Sequence, residues 1–370
     1  MKLSTRLHIL LGATILTVIG GLGFLGSRHF TFGQRDALRT ILPDNWEKFD
    51  RISDPRFRAL FLSRKRRLRD TCNQIKAEES TRFSQKFSNL YTWKDSSFLW
   101  CPVFKAGTSN WMANFFHLAP LTQEERSSIE NAHESMLDRA KAVRFTFSGQ
   151  LFHQYKKSHP QMDSFIWVRH PFYRLVSAFR DKLERLHGHG LEQDYFYALY
   201  GRKIVEEYRD SAISRFGSDA FSHENHFGAP VPFEGQRVPE QPIFWEFVQW
   251  LLKMKPIHMD EHWSPIMETC SPCIMNYEMI LKLENHDVEE IILEEYLGIS
   301  ARLEPPTRAN SYGNNVNLTE DEITRRYLDT LSIADVQKLF ALYRHDFEIF
   351  DYSFSYRGLD FQPNSNKKKD

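Results

Sequence analysis

Cysteine is scarce in this chain of 370 residues: only Cys72, Cys101, Cys270 and Cys273 are present. Four cysteines are too few for a fold stapled throughout, and they permit two disulfides in any of three pairings. A zinc site built on Cys270 and Cys273 is the rival reading, but no second C-x-x-C and no nearby ligand-spaced histidines complete four ligands. A surplus of charge is missing too. Lys plus Arg and Asp plus Glu stand at 48 each, so no global field draws the chain to nucleic acid, and polyanion contacts must come from local clusters. The spacing G-x-x-x-x-G-K-[ST] of nucleoside-triphosphate P-loops is absent, which argues against a nucleotide kinase. No repeat of solenoid length occurs.

What is present begins with a globular composition, 41% hydrophobic and 26% charged, with 30 Phe and 8 Trp to build an aromatic core. Ile9 to Gly26 is a run of apolar and small residues preceded by Lys2 and Arg6. It reads as a membrane-spanning signal-anchor over 8–26 with a cytosolic tail at 1–7, against the rival reading of a cleaved signal peptide. Residues 27–96, polar and carrying the basic stretch Ser63 to Arg69, read as a stem. The folded, lumenal domain is expected over 97–356, followed by a polar tail over 357–370. Asn317-Leu318-Thr319 is a glycosylation sequon.

Two segments carry the chemistry. In the first, an apolar run from Phe98 to Phe104 leads into Lys105-Ala106-Gly107-Thr108-Ser109-Asn110-Trp111 and then a helical pattern. Small residues let backbone N–H groups approach an anion, the helix start adds partial positive charge, and Lys105 adds a full one, with Thr108, Ser109 and Asn110 as donors. In the second, the strand-like Ser164 to Val168 leads into Arg169-His170-Pro171 and a helix whose Phe172, Leu175, Val176 and Phe179 form an apolar face. Arg169 and Ser177 are placed to reach a phosphate. Strand, turn and helix thus occur twice, which predicts an α/β fold with a mainly parallel sheet and a ligand site at the carboxyl ends of its strands. Residues 186–242 read as a long, partly helical insertion.

These residues resemble the Golgi carbohydrate sulfotransferases, a family that includes the chondroitin and dermatan 4-sulfotransferases and the human natural killer epitope sulfotransferase. Val103 to Trp111 is similar to the family's V-P-K-V-A-C-T-N-W segment, and Arg169 to Arg180 to its R-[DE]-P-F-x-R-L-V-S-A-[FY]-R segment. Asp260-Glu261-His262-Trp263-Ser264-Pro265, the stretch through Cys273, and Leu342 to Phe350 also match, in the family's order. Phe104 stands where the family has Pro, Thr108 where it has Cys and His170 where it has an acidic residue; none of these removes a phosphate-binding cation.

The resemblance implies a parallel-sheet sulfotransferase fold, related to P-loop kinases, in a type II Golgi membrane protein whose catalytic domain is lumenal. It implies 3′-phosphoadenosine-5′-phosphosulfate (PAPS) as sulfuryl donor without a metal, and a glycan acceptor, by analogy a chondroitin/dermatan-type glycosaminoglycan. Lys105 to Asn110 then hold the 5′-phosphosulfate side, while Arg169 and Ser177 hold the 3′-phosphate. A histidine suits the base that takes the sugar hydroxyl's proton, and His262 is the candidate because adjacent carboxylates can orient it and Trp263 can line a sugar cleft. Trp111 and Trp167 read as core residues. The competing reading is a catalytically inactive glycan-binding or scaffolding member of the same fold.

Overall fold

The structure, a computed structural model, describes residues 46–79, 87–93, 98–184, 194–221, 240–299 and 318–362. Three short strands, β1 (Phe98–Cys101), β2 (Asp163–Val168) and β3 (Met279–Lys282), lie side by side in that order, and both pairings are parallel. Trp100 faces Phe165 across one ladder, and Ile166 faces Ile280 across the other. Parallel neighbours need long crossovers, so each strand hands the chain to helices. Side chains alternate across the sheet: Leu99, Cys101, Ile166, Val168 and Ile280 enter one apolar core, and Phe98, Trp100, Phe165, Trp167, Met279 and Leu281 enter the other. Burial on both faces is why the strands read as unbroken apolar runs rather than alternating ones.

The expected strand-turn-helix unit occurs three times. After β1 comes α2 (Thr108–Leu118), which buries Trp111, Met112 and Phe115 on the Trp100 side. After β2 comes α3 (Pro171–Phe179), started by Pro171 in its first turn and burying Phe172, Leu175, Val176 and Phe179 on the opposite side. After β3, a short 3₁₀ turn leads to α6 (His286–Leu297). The region 186–242 is partly helical: it contains α4 (Arg202–Phe216), which packs on α5 (Phe244–Leu251) through Arg209 and the buried Glu246, Nε to Oε1 2.7 Å. Helices α7 (Glu320–Leu328) and α8 (Ile333–Phe350) complete the core that holds Leu99, Ile166 and Ile280.

Of the segment read as a stem, the described residues from Glu47 onward belong to the larger compact unit together with the sheet. A 3₁₀ turn, Trp46–Arg51, places Arg51 as a fork on Asp163 at the start of β2, with Nη1–Oδ2 at 2.7 Å and Nη2–Oδ1 at 2.9 Å. Helix α1 (Pro55–Glu79) then crosses β3. Its basic run, which suggested a solvated stalk, is buried in part: Arg64 grips both oxygens of Glu289 at 2.7 and 2.8 Å and donates to the Ile280 carbonyl, while Lys65 Nζ lies 3.4 Å from Glu278. Composition suggested a stalk because the partners that neutralise these charges lie more than two hundred residues away.

The disulfides Cys72–Cys273 and Cys101–Cys270 resolve the pairing, tying α1 and β1 to the same turn after α5. They also remove Cys270 and Cys273 from any zinc site. Each closes a loop of 169 or more residues, worth about 5 kcal/mol in a chain-entropy account.

The C-terminal boundary also differs from expectation. A two-residue turn at Arg357 and Gly358, both at positive φ, joins β4 (Phe354–Tyr356) to β5 (Leu359–Phe361), and buried Phe361 packs on Phe340. The tail assigned to 357–370 therefore starts inside a hairpin. Among the described residues no helix is long and apolar enough to cross a membrane; the anchor expected over 8–26 lies outside the described residues, as does Asn317 of the sequon.

Truncating one member of a buried, forked ion pair strands its partner, so Glu289→Ala is expected to lower unfolding free energy by about 3–5 kcal/mol. Arg67→Ala, which removes the exposed pair with Asp351, is expected to cost no more than about 1 kcal/mol. Urea unfolding of the two variants checks the contrast.

Candidate active site

The turn between β1 and α2 is built by backbone conformation before any side chain acts. Lys105 and Gly107 both adopt the left-handed region, φ 69° and 77°, and the loop is closed by Ala106 N–H donating to Val103 O at 3.0 Å. Alternating backbone handedness of this kind gathers N–H groups into an anion-binding concavity. Gly107 is required twice over, because a Cβ there would meet Leu283 Cδ1 at 3.1 Å in a region that side-chain-bearing residues disfavour. Thr108 donates its hydroxyl to Val103 O at 2.5 Å. It therefore fastens the loop instead of offering that proton to a phosphate. Ser109 is exposed, and Asn110 Oδ1 is buried with no partner among the described residues.

The second motif meets the first. Arg169, at the end of β2, donates from Nη1 to Lys105 O at 2.9 Å and from Nη2 to Glu320 Oε1 at 2.5 Å. Lys105 Nζ lies 3.2 Å from Asp181 Oδ2; burial pulls the ammonium pKa below the usual lysine range and the Asp181 carboxylate opposes that pull. Ser177 is half-buried on α3, and no side-chain contact joins it to Arg169 among the described residues. The twice left-handed loop and the two cations make a cradle that fits an anionic, phosphate-bearing ligand.

His262 lies against this loop, its ring 4.5 Å from that of Phe104. Asp260 Oδ1 accepts from the His262 backbone N–H at 2.9 Å and contacts Nδ1 at 2.6 Å, while Tyr200 donates to Asp260 Oδ2 at 3.1 Å. A carboxylate on Nδ1 fixes that nitrogen as the protonated one and leaves Nε2 as the acceptor. Burial lowers the His262 pKa, with Asp260 opposing and the charges of Lys182 and Lys105 adding to the lowering. The imidazole is consequently neutral near neutral pH.

Trp263 does not line a cleft: it is fully buried and packs against Tyr200, Phe247 and Trp250. His170, next to Arg169 in sequence, is turned into the core. Its ring lies among Tyr173, Phe347, Tyr352 and Phe354, and burial pushes its pKa down to about 3. Glu284 Oε1 accepts the His170 backbone N–H at 2.7 Å. Trp111 and Trp167 are core residues.

The residue that organises the site is one for which the sequence analysis gave no role. Arg174 is fully buried, and its guanidinium donates to the carbonyls of His262 at 2.9 Å, Phe104 at 3.4 Å and Ser264. It thus joins the anion loop and the histidine loop through α3. Burial lowers its pKa; the nearby Tyr343 and Asp346 oppose that. Asp346 itself caps the helix Ile266–Cys270, accepting from Ile266 N at 2.7 Å and Met267 N at 3.0 Å. An arginine flanked by Tyr173 and Leu175 within an otherwise apolar helix start was the available signal.

Arg174→Lys keeps a charge but loses the planar fork that reaches several carbonyls. It is expected to lower Tm and to reduce anion-site occupancy together, as measured by thermal unfolding with and without the nucleotide 3′-phosphoadenosine-5′-phosphate.

Comparison with known proteins places this geometry. Residues 88–353 match the model of the sulfotransferase family. The chain is 29% identical over 301 residues to mouse carbohydrate sulfotransferase 8, covering 80% of this chain and 64% of that protein. It is 27% identical over 267 residues to human carbohydrate sulfotransferase 9 (72% and 53%) and 25% identical over 304 residues to mouse carbohydrate sulfotransferase 11 (80% and 77%). The chain thus spans less than two thirds of the length of the first two of these relatives. No solved structure matches it. The match across both phosphate-site motifs and the histidine loop shows that the chain belongs to the sulfotransferase family.

Proposed function

We propose that this protein is a carbohydrate sulfotransferase that moves a sulfuryl group from PAPS to a sugar hydroxyl. The observation that carries the reading is the meeting of Lys105, Arg169 and His262, from three separate stretches of chain, around one left-handed loop. The donor supplies the activated sulfuryl group. Lys105 and the loop N–H groups offset charge on the 5′-phosphate side, Arg169 and Ser177 take the 3′-phosphate, and His262 Nε2 receives the hydroxyl proton while Asp260 holds the ring.

The acceptor in this reading is a chondroitin/dermatan-type glycosaminoglycan, taken from the family resemblance. A Golgi, type II setting with residues 8–26 as anchor and a glycan on Asn317 goes with it, and two disulfides favour an oxidising compartment. A second reading, an inactive glycan-binding protein, has one observation in its favour: Glu320 already engages Arg169. That carboxylate is half exposed, however, so an incoming phosphate displaces it at small cost.

The test is transfer of radiolabelled sulfate from PAPS by the purified full chain to a panel of desulfated glycosaminoglycans and N-glycans. Lys105→Ala and Arg169→Ala are expected to abolish transfer, and His262→Ala to lower kcat by about 10²–10⁴-fold with donor binding retained. A folded wild type that fails to bind PAPS overturns the enzyme reading. Because His262 acts neutral and its pKa lies below the ordinary value of about 6.5, activity should fall with acidity only below that pH. Asp260 raises the His262 pKa, so Asp260→Asn should move the acid limb of the pH–rate profile to lower pH while reducing kcat.

A further inference from the structure

Helix α3 does not end as an α-helix. It runs into a π-helical turn, Arg180–Glu184, and the extra residue in such a turn shifts side-chain phase by roughly 100°. Within that turn Asp181 and Lys182 pair at 3.0 Å, and the same Asp181 oxygen lies 3.2 Å from Lys105 Nζ. One carboxylate oxygen therefore holds two ammonium groups side by side, one from the anion loop and one from the π turn. All three side chains are largely buried, at 15%, 10% and 20% exposure for Lys105, Asp181 and Lys182.

Lys182 also reaches toward the base. Its Nζ lies 4.8 Å from the centre of the Phe196 ring, and that ring makes an edge contact with His262 at 5.2 Å. Phe196 in turn leads into a second π-helical turn, Tyr197–Gly201, which carries the Tyr200 that braces Asp260. Two irregular turns thus place a cation between the loop lysine and the histidine. Two ammonium groups gathered at one carboxylate oxygen, all largely buried, form a cationic pair that a bound anion can contact.

We infer that Lys182 is a second cation of the transfer site, held beside Lys105 by Asp181, and that it contacts the sulfuryl oxygens as the group passes from donor to acceptor. This rests on the sulfotransferase reading above. In the step itself the bond from sulfur to the phosphate oxygen breaks, a bond from sulfur to the sugar oxygen forms, and the hydroxyl proton goes to His262. No electron changes hands between oxidant and reductant. Lys105 is left to the leaving phosphate, and Lys182 to the migrating group.

The experiment compares wild type, Lys182→Ala, Lys182→Arg and Lys105→Ala in the full chain. It measures kcat and KM for PAPS, calorimetric affinity for 3′-phosphoadenosine-5′-phosphate, which lacks the sulfuryl group, and pH–rate profiles. Lys182→Ala should lower kcat by about 10²–10³-fold while affinity for the sulfur-free nucleotide stays within a few-fold, and Lys182→Arg should recover part of the rate. The Lys182 charge lowers the His262 pKa, so Lys182→Ala should also move the acid limb to higher pH, which a purely structural role would not do. Retention of kcat in Lys182→Ala overturns the inference alone, as does a parallel fall of kcat, nucleotide affinity and Tm with an unmoved acid limb. A wild type that transfers no sulfate to any acceptor overturns the sulfotransferase reading and this inference with it.

Discussion

One buried guanidinium couples the parts of this site. Arg174 has no carboxylate fork of its own; it spends its donors on the main-chain carbonyls of Phe104, His262 and Ser264. Carbonyls at those positions belong to turns, which have no ladder to satisfy them, and an unmet buried carbonyl is costly. By meeting them, Arg174 fixes the anion loop and the histidine loop relative to the same helix. The positions of Lys105 and His262 follow from that, because each lies one residue from, or on, a carbonyl that Arg174 holds.

The periphery is organised on the same principle of charge answered at long range. Arg64 and Glu289 join α1 to α6, Arg51 and Asp163 join the first turn to β2, and Arg209 and Glu246 join α4 to α5. Each pairs a cation with a carboxylate that is almost fully buried, so each specifies which elements meet more than it adds net stability. Apolar burial on the two faces of the sheet supplies the drive, and the two disulfides limit the unfolded ensemble.

Backbone irregularity is concentrated at the site. Left-handed residues at 105 and 107 and π-helical turns at 180–184 and 197–201 all surround the space between Lys105 and His262. Such features are unfavourable in a repetitive element and persist where surrounding contacts over-determine them. They carry Lys105 and Lys182, which meet at Asp181, and Tyr200, which braces Asp260.

The sequence alone determined two of the three parallel strands and the turn and helix after each, because strand burial, the Pro171 helix start and the small-residue turn at Gly107 are local matters of period and backbone freedom; β3 was not read. It also marked His262, through its neighbouring carboxylates. Its failures have one physical cause. Whether Arg64 and Lys65 lie in a stem or a core, whether Trp263 lines a cleft, which cysteines pair, and that Arg174 is interior all depend on partners distant along the chain, such as Glu289, Phe247, Cys72 and the carbonyl of Ser264. A side chain's charge is written in its own letter; what neutralises it is set only when the tertiary structure brings a partner within reach.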